Sequence, residues 1–135
     1  MLIRRSIDLR RLYSHAADVS EPGLQLVFSD NARTLDLLIV DLQAMLRDYG
    51  FKFPTTEGWQ GTAGRSLATW LMHATPRSGT GWIRLLGHRE RALLQAFELA
   101  IATAAPPAAL TLRRQLPRLH SIHFDMDTLA GITRY

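Results

Sequence analysis

The 135-residue chain has no cysteine and only one lysine, Lys52. Without cysteine there can be no disulfide, no thiolate zinc site and no cysteine nucleophile. That composition suits a reducing compartment, and the expected location is the cytoplasm. No apolar run approaches the roughly 18 residues of a membrane span. The basic stretch at the N-terminus is not followed by the apolar segment of a secretory signal. Phosphate cradles are missing as well: Gly58-Trp59-Gln60-Gly61 and Gly79-Thr80-Gly81 lack the lysine and the spacing of a P-loop. Ser14, Ser20, Ser29, Ser66, Ser78 and Ser121 stand in no nucleophile-elbow context. Strand-like alternation and internal repeats are absent too, so the expected fold is all-α in one domain, 1–135.

The charge is unbalanced but diffuse. The net formal charge is +4, and the arginines are scattered from Arg4 to Arg118 and beyond without a dense run or an interleaved aromatic platform. Such a distribution reads as solvated helix faces and does not favour nucleic acid as a partner.

Helical spacing of apolar residues marks the elements. Ser6 is placed to cap a first helix over 7–20, with the stripe Leu9, Leu12, Tyr13 and Ala16. After Glu21-Pro22-Gly23 a second helix is expected over 24–49. Its stripe is Leu24, Phe28, Leu35, Leu38, Ile39, Leu42, Leu46 and Tyr49, with Asn31 inside it and Gly50 as the closing residue. Asp30, Arg33, Asp36, Asp41, Arg47 and Asp48 should point outward. A connection over 51–61 and a short helix over 62–74 lead to the clearest amphipathic stretch, 82–104. Past Ala104-Ala105-Pro106-Pro107 a last helix is expected over 108–131. It carries Leu112, Leu116, Leu119, Ile122, Met126 and Ala130 on one face, with a bend at Pro117. Trp59, Trp70 and Trp82 fall in or beside the middle connection. They suit a small satellite core pinning it to the helices, or an exposed aromatic patch.

One residue breaks the pattern of the 82–104 helix. Trp82, Ile83, Leu86, Leu93, Leu94, Phe97, Ala100, Ile101 and Ala104 share a face, and Glu90 projects into its middle. A buried carboxylate is costly unless paired, hydrogen-bonded or bound to metal. His123 interrupts the stripe of the last helix in the same way, flanked by His120 and Asp127. If the middle segment crosses back along the bundle, the second and central helices run parallel. Distances from the two tight turns then bring Tyr13, Asn31, Glu90 and His123 to one level, facing inward from four helices. A five-helix up-and-down bundle is the competing topology.

The Tyr13–Asp18 run YSHAAD, Gly50 after the second helix, Glu90 seven residues before Phe97 and the His120-x-x-His123 pair together resemble a bacterial ferritin-like domain of an uncharacterised, stress-protein-related family. The resemblance implies a ferritin-like four-helix bundle with a long crossover. The di-iron form of that fold draws a Glu from each of two helices and Glu-x-x-His from each of the other two. Here the first helix has no Glu, the second offers Asn31-x-x-Thr34, and Glu90 alone matches, so the metal site is degenerate. Two readings follow. One is a non-catalytic structural or interaction module, a homo-oligomer or a protein's partner, in which Tyr13, Asn31, Glu90 and His123 form a satisfied polar layer and no cofactor is needed. The other is a mononuclear or redox protein holding one iron, zinc or manganese through Glu90 and His123, with His120 or Asp127 as a third ligand.

Overall fold

The computed structural model describes residues 2–49 and 79–133, and every element among them is helical. Five helices follow in order: α1 (Leu2–Val19), α2 (Pro22–Tyr49), α3 (Gly79–Thr103), α4 (Pro106–Arg113) and α5 (Leu116–Thr133). The expected 51–61 connection and 62–74 helix, together with Gly50, Trp59 and Trp70, lie outside the described residues.

The long stripes become the core. Leu9, Leu12, Tyr13 and Ala16 of α1 meet Phe28, Leu35, Leu38 and Leu42 of α2, and Leu86, Leu93 and Phe97 of α3 close on Leu119, Ile122 and Met126 of α5. Leu35, Leu38, Leu42 and Leu86 are fully buried, and each such leucine contributes about 2 kcal/mol of hydrophobic stabilisation. Tyr13 and Phe28 stack tilted at 58°, with ring centroids 6.1 Å apart. Trp82 is 2 % exposed in this main core. Its ring meets His15 edge-on at 5.5 Å.

Specific contacts set the helix directions. Leu24, near the start of α2, stands over Gly79 at the start of α3, where a Cβ would come within 2.5 Å of Leu24 Cδ1. The Trp82–His15 contact joins the start of α3 to the end of α1. Asp41, late in α2, meets Arg118 at the start of α5, and Asn31, early in α2, meets Met126 late in α5. Hence α1 and α2 are antiparallel, α2 and α3 run the same way, and α5 runs against both. Around the bundle α1 lies beside α2 and α3, and α5 lies beside α3 and α2.

Several boundaries differ from the sequence expectation: α1 starts at Leu2, not at residue 7, and α3 at Gly79, not at residue 82. Ser6 does not cap α1: it is buried inside the helix, and its hydroxyl donates to the Leu2 carbonyl at 2.7 Å. This back-bond to the preceding turn takes the hydroxyl out of the capping role. Pro22 opens α2 two residues earlier than Leu24, in the position where its missing N–H costs nothing. The last helix is broken, not bent. Pro117 cannot donate to the preceding turn, so α4 ends at Arg113 and α5 restarts at Leu116. At the break Gln115 N–H bonds Leu112 O at 3.0 Å, and Arg118 N–H bonds Gln115 O at 3.1 Å.

Candidate functional site

Glu90 is wholly buried on α3. Its Oε2 lies 2.9 Å from Nδ1 of His123 on α5. The other ring nitrogen, Nε2, is 3.3 Å from Oδ2 of Asp127, one turn further along the same helix. The result is a carboxylate–imidazole–carboxylate relay running from the core to the surface: Glu90 has no exposure, His123 is half-buried and Asp127 is exposed. Burial pushes the Glu90 carboxyl above its ordinary value of 4.5, against the pull of His123 and Arg91 and with a small push from Asp127. Its second oxygen, Oε1, is buried with no hydrogen-bond partner among the described residues.

Tyr13 reaches this region from α1 and Asn31 from α2, both buried. Burial raises the Tyr13 hydroxyl well above 10.0, the Glu90 charge raises it further, and the adjacent Asn31 amide pulls the other way. The amide stands beside the hydroxyl without making a well-formed hydrogen bond, and Tyr13 Oη has no hydrogen-bond partner among the described residues. Asn31 Nδ2 is turned instead to Met126 Sδ at 3.8 Å, a weak contact. The four side chains therefore occupy one region of the core, but only Glu90 and His123 are directly bonded to each other.

His120 does not join them. It is exposed on α5, and among the described residues no group of three His, Asp or Glu side chains is placed to hold a metal ion. The helical spacing explains this: with His123 aimed at α3, a residue three positions earlier points about 60° further round, towards solvent.

A second polar knot was not anticipated from the sequence. Gln115, at the break between α4 and α5, is 5 % exposed. Its Nε2 donates to Asp41 Oδ2 at 3.1 Å, while Arg118 Nη1 donates both to Asp41 and to Gln115 Oε1. These bonds, that from Arg118 first, hold the Asp41 carboxyl below its ordinary value of 3.8. Asp41, expected to face solvent, is half-buried for this reason. The signal was present: Gln115 sits three residues after Leu112 and four before Leu119, on the apolar line.

In comparisons with known proteins, no protein-family model, curated protein or solved structure matches the chain.

Proposed function

We propose that this chain is a non-catalytic, ferritin-like helical bundle of the stress-related bacterial kind its sequence resembles. In this reading it acts in the cytoplasm as a structural or interaction module, and its polar layer holds the helices in register. The observation that carries the reading is that His123 faces the chain's own carboxylates on both sides, Nδ1 bonded to Glu90 at 2.9 Å and Nε2 with Asp127 3.3 Å away. Such an imidazole organises packing; it would have to give up a partner before it could bind anything else. The parallel course of α2 and α3, and the neighbours of α1 and α5, support a ferritin-like arrangement. Leu26, Leu37 and Val40 lie along one outer line of α2, each more than half exposed. They support a role in association, with a second copy or another protein. No helix among the described residues is long and apolar enough to cross a membrane.

The competing reading, a single iron, zinc or manganese on Glu90, His123 and His120, draws on one atom, the unpartnered Glu90 Oε1. The donor set does not fit it well. His120 is on the solvent side, and Tyr13 and Asn31 stand where a di-iron bundle would need carboxylates. Metal analysis of protein purified without chelator, beside Glu90→Ala and His123→Ala, tests the proposal. Metal-free protein, with both variants merely less stable, is the expected result. Stoichiometric metal that disappears in both variants would overturn it.

A further inference from the structure

Between α3 and α5, on the outer side of the Glu90–His123 pair, lies a groove of about 230 Å³. Its apolar lining is Ile83, Met126 and Ala130. In its middle is Gly87, which is buried, yet a Cβ added there would meet nothing within 4 Å. Glycine is among the poorest residues for a helix interior, and here neither a close neighbour nor an unusual backbone angle requires it. What its missing side chain does is keep the groove open.

Two cations flank that opening. Arg84 lies one turn before Gly87 and Arg91 one turn after it; both line the groove and both are exposed. Neither has an ion-pair partner among the described residues. Seven residues separate them, roughly 10 Å along the helix, a span that two arginine side chains can close from opposite sides above a residue with no side chain. The one carboxylate that lines the groove, Asp127, is turned to His123 at 3.3 Å.

We propose that this groove is a binding site for a small organic carboxylate with a short apolar body. The head group lies over Gly87 between Arg84 and Arg91, whose planar guanidinium groups match a carboxylate in two-pronged hydrogen bonding. The body lies along Ile83, Met126 and Ala130. The volume corresponds to roughly eight water molecules at about 30 Å³ each, which suits a ligand of about ten heavy atoms and is too small for a folded partner. A ligand of that size binds with a Kd on the order of millimolar or somewhat tighter.

Sodium octanoate is a suitable probe, titrated into the whole ¹⁵N-labelled protein and followed by amide shifts. Saturable shifts clustered at residues 80–91 and 126–130 are expected. Methyl octanoate, which lacks the charge, should bind at least roughly tenfold more weakly, and so should octanoate to the Arg84→Gln/Arg91→Gln protein. Gly87→Leu should abolish binding while keeping the fold, because its first added carbon enters open space. Shifts that are absent, spread over the surface or unsaturable would overturn the proposal. So would an ester or a double variant that binds as well as the parent pair.

Discussion

Replacing His123 by alanine strands the Glu90 carboxylate. In the native chain one Glu90 oxygen is bonded to His123 and the other has no hydrogen-bond partner among the described residues. The variant leaves a wholly buried acid with neither oxygen satisfied. Breaking a buried pair in this way costs about 3–5 kcal/mol. The His123 side chain is 32 % exposed, so water can enter the vacated volume, and the low end, about 3 kcal/mol, is expected. Against a total stability of about 5–15 kcal/mol that is severe, and for a domain of this size it corresponds to a fall of roughly 10 °C in Tm.

The loss has a sign in pH. Burial already holds the Glu90 carboxyl above 4.5, and His123 is the main influence pulling it back down; removing His123 raises it further. An acid whose folded pKa exceeds its unfolded value binds more protons when folded, so stability falls as pH rises between those values. Below about pH 4.5 the carboxyl is protonated in both states and the penalty largely vanishes; above it the penalty grows by at most about 1.4 kcal/mol per pH unit. Urea unfolding followed by circular dichroism at pH 4, 6 and 8 measures this directly. A His123→Ala protein within about 1 kcal/mol of wild type at pH 8, or equally destabilised at every pH, would refute the reasoning. The double replacement Glu90→Met/His123→Leu provides the converse, since replacing both members of a buried pair by apolar side chains of similar volume is often neutral or stabilising by about 1–4 kcal/mol.

Two further perturbations test the surroundings. Tyr13→Phe removes a buried hydroxyl with no hydrogen-bond partner among the described residues, so it should be neutral or stabilise by up to about 1 kcal/mol. Because the native hydroxyl is raised well above 10.0, wild type should also lose stability relative to the variant as pH rises beyond 10; thermal melts at pH 7 and 10.5 check both. Asp41→Asn weakens the bond to Arg118 and the contact with Gln115, but Asp41 is 45 % exposed, so after solvent screening the cost at pH 7 should stay below about 1 kcal/mol. Since the native carboxyl is held below 3.8, that difference should be present above pH 3.8 and fade as pH falls through the folded pKa. Acid titration of both proteins in urea reads it.

The long helices could be read in the sequence because their burial is one-sided and follows a 3.6-residue period. Leu9, Leu12, Tyr13 and Ala16, or Phe28, Leu35, Leu38 and Leu42, stand on the core side as their spacing dictates. Glu90 was legible for the same reason, as the one charge on such a stripe. His123 follows from its position, about as far past the Pro106-Pro107 turn as Glu90 is before it. What spacing does not reveal is local competition for backbone groups. Ser6 has the right chemistry for a cap, but its hydroxyl instead takes the Leu2 carbonyl. Pro117 reads equally as a bend or a break, and the contact that Gln115 makes with Asp41 at the break is long-range, so its partner leaves no mark in the spacing. The groove at Gly87 was invisible because it depends on what the facing helix leaves unfilled.

The polar ties have a common target. Having restarted after Arg113, α5 does not inherit its rotation or height from α4 through a continuous helix, and its apolar pattern is imperfect, with Phe124 71 % exposed. Apolar contacts alone would tolerate a slip of one turn, because Leu119, Ile122 and Met126 would still meet apolar neighbours. The polar contacts would not. A slip of one turn past α3 would carry His123 away from Glu90 and leave a wholly buried carboxylate unpaired, at a cost of several kcal/mol. The same slip past α2 would separate Arg118 and Gln115 from Asp41. The Glu90–His123 bond therefore sets the height of α5 on α3, and the Asp41 knot sets it on α2. Two fixed points on two neighbours leave a helix neither sliding nor rotation. On this argument an apolar core at Glu90 and His123 together would melt higher but hold α5 less uniquely, seen as broadened amide resonances along 116–133 in a protein with a raised Tm.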